Sequence, residues 1–192
     1  MTATLIPPVT PIPPAPRWAV RAAHLTVLCV LPASLWRIAM AIGIPVGFSA
    51  ETLRADYHSP GWGTAYMIGL SLLGELAAFM TLGLVRDWGL VVPQWIPFIG
   101  GRPVRPMAAI VPAVIGAVVM TLLWGSQALL AFFVEGDGGL TGIHLAVMYA
   151  CYAPLVLWGP LLGLVTWSYR RRTRQPGRGE GTARPPSPRI VH

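Results

Sequence analysis

Arg37 and Glu75 are the residues whose types and positions could do chemistry in an apolar medium, because each stands near the middle of a long apolar run. A lone charge at the centre of a bilayer costs on the order of several kcal/mol, so such residues demand a partner or a task. Helical periodicity places Arg37 on a stripe with Ala33, Ser34 and Ala41, and Glu75 on one with Ser71 and Ala78. Small and weakly polar neighbours let two helices approach closely. The pattern therefore predicts an intramembrane ion pair, Arg37–Glu75. Such a pair can fix the register of two helices. It can also form a proton or substrate site, with Glu75 exchanging a proton and Arg37 tuning it.

The remaining polar groups point less sharply. Ser34 and Ser71 are expected as helix-packing hydroxyls, and Gln127, on a face with Gly116, Met120 and Leu123, as an interhelical hydrogen-bonding group. Ala109, Ala113 and Ala117 form a small-residue stripe at spacing four. At the outer ends of the apolar runs, Glu51, Asp56 and His58 could meet Glu135, Asp137 and His144 and bind a divalent metal. Their spacing matches no metal motif, and on a helix Arg54 would share the face of Glu51 and His58, so no metal is expected. His24 and His144 fall at opposite depths, which disfavours a haem between helices. Cys29 and Cys151 also fall at different depths and are expected as free thiols. No Ser-His-Asp, P-loop or HExxH pattern is present, and Gly100-Gly101-Arg102 is too short to cradle a phosphate. No catalytic residue and no cofactor is assigned.

These residues need elements to position them, and composition says which. Of 192 residues, 54% are hydrophobic and 11% charged. A soluble domain carries about 25% charged residues. Less than half that charge cannot cover an ordinary aqueous surface, and hydrocarbon removes the requirement. Four apolar runs, about 22–48, 63–85, 107–134 and 143–169, are each long enough to cross a bilayer as a helix. Pro32, Pro45, Pro112, Pro154 and Pro160 are candidate kinks. All fourteen basic side chains are arginines, and outside the runs twelve fall on one side and one on the other. The positive-inside rule puts the twelve in the cytoplasm. The expected fold is all-α: an integral membrane four-helix bundle over 18–172, N-in and C-in, in the plasma membrane. A Pro-rich stretch, 1–17, and an Arg/Pro/Gly-rich tail, 173–192, are expected to be disordered. The seven C-terminal arginines, Arg170, Arg171 and Arg172 together with four in the tail, fit anionic lipid headgroups rather than nucleic acid. Trp18, Trp62, Trp88, Trp95, Trp167 and Tyr169 sit near segment ends, as an interfacial belt would.

The loop between the second and third runs is the most distinctive stretch. Prolines restrict its backbone, Gly100-Gly101 permits a tight turn, and Trp88 and Trp95 suit headgroup depth. Its sequence, Trp88-Gly89 through Pro93, Trp95-Ile96-Pro97 and Gly100-Gly101-Arg102 to Val104, reads WGxxxPxWIPxxGGRxV. In this it resembles a group of small actinobacterial multi-pass membrane proteins. The resemblance covers about half the chain. It implies a four-helix inner-membrane protein and no particular activity.

Three functions follow as expectations. The first is a non-enzymatic accessory or scaffolding protein, with the Trp/Pro/Gly/Arg loop as a docking surface for a membrane partner or a second copy. The second is a small proton-coupled transporter or channel using Glu75 and Arg37. The third, a membrane-embedded enzyme, ranks last because no nucleophile–base pair stands out.

Overall fold

The computed structural model describes residues 13–89, 101, 104–131, 133 and 140–174. It is all-helical among these residues. Helix α1 spans Arg17–Ala41, α2 Ala50–Ala55, α3 Trp62–Gly83, α4 Pro106–Leu130, α5 Gly142–Tyr152 and α6 Trp158–Arg174. A 3-10 turn, Ala153–Leu157, joins α5 to α6, so that Gly142–Arg174 is one interrupted span. Four elements are long and apolar enough to cross a membrane: α1, α3, α4 and this composite.

The helix ends follow backbone chemistry more than hydropathy. The first helix runs 17–41 rather than 22–48. Pro16 precedes its first turn, and Arg17 and Arg21 lie inside it. It stops because Gly43 takes φ +84°, a left-handed conformation, and Pro45 lacks an amide to continue the ladder. Pro45 is thus in a loop and kinks nothing. The orphan carbonyl of Ala41 accepts hydrogen bonds from the hydroxyls of Ser59 and Thr64 at 3.4 and 3.3 Å. Ser49 caps α2, its hydroxyl accepting from the Thr52 amide at 3.0 Å. Pro106 opens α4 at a position where no amide is needed. The fourth span continues through Thr173 and Arg174, past the expected start of the tail, and Thr173 Oγ1 donates back to the Tyr169 carbonyl at 3.1 Å. The remainder of both termini lies outside the described residues.

Packing runs in a chain of pairs. Helix α1 packs on α3 and on α5–α6, and α6 packs on α4. One buried cluster joins Ala22, Val30 and Ala33 of α1 to Ala78, Ile110, Ala117, Leu162, Val165 and Tyr169. A second gathers Trp36, Met40, Phe48, Leu53, Met67 and Leu140 at the other end of the helices. Trp18 and Trp167 lie 6.2 Å apart and Arg172 reaches the Pro13 carbonyl, so the described N- and C-terminal ends meet at one end of the assembly. Arg172 also donates to the Leu84 carbonyl at the end of α3, and Arg171 stacks over Trp167 at 3.7 Å. Large apolar side chains point outward, among them Leu28, Leu35, Leu72, Leu73, Leu122 and Ile115. A soluble protein does not expose such continuous apolar surface.

The alanine stripe of α4 faces α6. Ala117 is buried against Leu162, with Ala109 and Ala113 packed beside it. Four hydroxyls inside the spans are satisfied locally, Thr26, Ser71, Thr121 and Thr166 each donating to the carbonyl four residues back, whereas those of Ser34 and Thr81 are buried without a partner.

Candidate functional site

Arg37 is half-buried on α1, one helical turn before the helix ends. Its Nε donates to Ser71 Oγ on α3 at 3.2 Å, and Ser71 in turn donates to the Met67 carbonyl at 2.8 Å. The guanidinium carbon lies 5.9 Å from the ring centre of Tyr152, the last residue of α5. One side chain therefore ties three helices.

The expected partner is different. Arg37 is held by Ser71, and one carboxylate oxygen of Glu75, Oε1, is buried without a hydrogen-bond partner. Among the described residues Arg37 and Glu75 form no ion pair. The physical reason is depth. Ser71 and Glu75 share a face of α3 but stand four residues apart, about 6 Å along the axis. Arg37 is level with the serine.

The other expected residues separate. Ser34 is buried on α1 and its hydroxyl has no partner. Gln127 is exposed rather than inside a helix interface, and it lines a groove of about 860 Å³ with Trp124, Tyr149 and Tyr152. Trp88 folds back along α3, stacked on Phe79 at 5.7 Å and over Gly83. Gly101 has φ +77°, as a tight turn requires. Trp95, Pro97, Gly100 and Arg102 lie outside the described residues, as do Glu135 and Asp137. Glu51 opens α2, His58 stacks on Trp62 at 5.0 Å, and His144 packs against Gly47. Among the described residues, no group of three His, Cys, Asp or Glu side chains converges. Cys29 and Cys151 are both free.

What the structure assembles instead is a cavity of about 290 Å³ at the end of the helices remote from the chain termini. Arg37 lines it, with Trp36 and Met40 of α1, Trp62, Tyr66 and Met67 of α3, and Met148 and Tyr152 of α5. Phe48 and Tyr57, whose rings lie 5.3 Å apart, and the exposed Asp56 come from the connection between α1 and α3. Tyr152 lines both this cavity and the groove of Gln127, and its ring lies 6.1 Å from Trp124. Sequence reasoning missed Tyr152. The available signal was Pro154 two residues on, which breaks the helix and ends α5 at that ring.

Burial first, and then the charge of Asp56, push the Tyr57 phenol above its ordinary value. The folded state thus holds this proton more tightly than the unfolded chain. Its contribution to stability is complete below the ordinary phenol range near about 10 and fades as pH rises through the folded value. Asp56→Asn is expected to lower the Tyr57 midpoint by the smaller part of the shift. Phenolate absorbance of the wild type minus that of Tyr57→Phe measures it, and a wild-type midpoint at the ordinary value refutes it.

Comparison of the chain with protein-family models, with curated proteins and with solved structures finds no match.

Proposed function

We propose that the chain is a multi-pass plasma-membrane protein, a four-helix bundle with both termini in the cytoplasm, that acts without catalysis as an accessory or scaffolding component. The observation that supports this most is the use made of Arg37. Arg37, a charge inside a span, joins Ser71 to Tyr152 and so fastens α1, α3 and α5 together. Buried polar contacts of this kind specify which helices meet and at what register. The orientation rests on the arginines: Arg17, Arg21, Arg170, Arg171, Arg172 and Arg174 gather toward one end of the helices, that of Trp18 and Trp167. The resemblance of the 88–104 loop to small actinobacterial membrane proteins fits the same reading.

A second reading is a proton-coupled transporter, favoured by the buried, unpartnered Oε1 of Glu75. Purified protein in liposomes separates the two. Under an imposed pH gradient, wild type is expected to leave vesicles as proton-tight as protein-free ones. A leak that disappears in Glu75→Gln assigns the protein to the second reading. Reporter fusions at both ends check the topology, and a periplasmic signal from either end overturns it.

A further inference from the structure

We infer that the 290 Å³ cavity is a binding site for a small amphipathic monoanion: a single carboxylate-type head on a flat apolar body. The inference takes from the proposed function only that the helices span a membrane. It adds a ligand to a protein otherwise read as a scaffold.

Charge comes first. Arg37 is a permanent cation at the cavity wall, inside a span, and among the described residues no carboxylate pairs with it. Ser71 occupies Nε alone. The Tyr152 hydroxyl also lies within reach of the guanidinium, but five N–H donors in a planar fork exceed what one serine and one phenol can take, so donors remain to bind an oxyanion. In low dielectric an anion at that point neutralises a charge that the helices leave uncompensated.

Shape comes second. The walls are flat and polarisable: Trp36, Trp62, Tyr66 and Tyr152, with Met67 and Met148 between them. Aromatic faces and thioethers pack well on a ring or a short unsaturated chain. A volume of about 290 Å³ is at the lower end of ligand pockets, which suits a ring and a short tail and excludes both chains of a lipid.

Asp56 sets the charge state. Its exposed carboxylate lines the same cavity, and Coulomb repulsion scales with charge, so it opposes a dianion about twice as strongly as a monoanion. The other titratable groups on the wall are the phenols of Tyr57, Tyr66 and Tyr152. An oxyanion on an apolar body can be a dissolved aromatic acid or the head of a short anionic lipid, and the two share this chemistry.

The test uses full-length protein in a non-ionic detergent, titrated with 3-phenylpropionate and followed by tryptophan fluorescence and calorimetry. Saturable binding is expected, weaker by about tenfold or more in Arg37→Gln and retained in part in Arg37→Lys. The neutral 3-phenylpropanamide and the cationic phenethylammonium are expected to bind at least about tenfold more weakly than the acid. Equal binding of acid and amide to wild type overturns the inference, and so does stronger binding of the amine. Trp62→Ala offers a second variant should Arg37→Gln fail to fold, and unchanged affinity in Trp62→Ala overturns the placement. Single-chain hexanoyl lysophosphatidylglycerol that displaces the acid from wild type supports the site with lipid as its source, and failure to displace it supports a dissolved acid. Proton tightness of liposomes is unaffected by any of these outcomes, so this test and that of the scaffold reading fail separately.

Discussion

Gly159→Leu is expected to lift α6 off α4 and to lower stability by about 3 kcal/mol or more, the upper end of overpacking costs. A Cβ at position 159 would lie 2.5 Å from the Thr121 amide nitrogen and 2.7 Å from the Ala117 carbonyl oxygen. Both are backbone atoms of a facing helix, so no rotamer change relieves the contact. One turn on, a Cβ at position 163 would lie 3.9 Å from the Ala117 methyl, ordinary contact distance. The small residues thus let two backbones meet, which is what drives helices together when lipid is as apolar as leucine. Helix α4 fully buries only Ile110 and Ala117, with Ala109, Ala113, Met120 and Trp124 half-buried against the same cluster, so the close crossing carries much of its hold. Reversible unfolding in mixed SDS and dodecylmaltoside micelles measures the loss. Gly163→Ala serves as a mild companion, expected within about 1 kcal/mol of wild type because its added methyl meets no backbone. Equal stability of Gly159→Leu and wild type refutes the close crossing.

The four spans were legible because length and hydropathy alone decide what can cross hydrocarbon. Their ends were less so. Apolarity suggested that the first helix reached Phe48, whereas Gly43 and Pro45 end it at Ala41. Arg37 stood out as a charge in an apolar run, and so did the small residues around it. Its partner did not, because helical periodicity gives a face and not a depth. Ser71 and Glu75 lie on one face, and only the crossing of α1 and α3 selects the serine. Gly159 and Gly163 carry the small-residue spacing openly, as does the alanine stripe of α4. What periodicity cannot supply is which stripe meets which. The cavity was the least legible feature. It draws on α1, α3, α5 and the 48–57 connection, and each contributes aromatic or methionine side chains that read singly as ordinary lipid-facing or core residues.

Tyr152→Ala is expected to do the most damage of any side-chain truncation at the site. The ring packs against both buried clusters, stands beside Arg37 and Trp124, and lines the 290 Å³ cavity on one side and the 860 Å³ groove on the other. Met148 lines both spaces as well, so removing the ring is expected to widen the opening between them, and it takes away the aromatic face beside the guanidinium. The expected loss is about 3 kcal/mol, the lower end for aromatic truncation, because a chain unfolded within lipid still keeps its apolar groups from water. Tyr152→Phe keeps the ring, its packing and its quadrupole, and is expected to cost no more than about 1 kcal/mol for the lost hydroxyl. Cys151 gives a local readout, since it is a half-buried free thiol on the adjoining residue. Its labelling by a small maleimide is expected to quicken in Tyr152→Ala and not in Tyr152→Phe. If the alanine variant is as stable as the phenylalanine variant and Cys151 stays equally slow, the ring is not the wall between the two spaces. The 3-phenylpropionate titration then distinguishes the remaining cases: with the wall gone, the acid keeps its Arg37 contact but loses its packing surface, so weaker binding with undiminished preference over the amide is the pattern a ligand cavity requires.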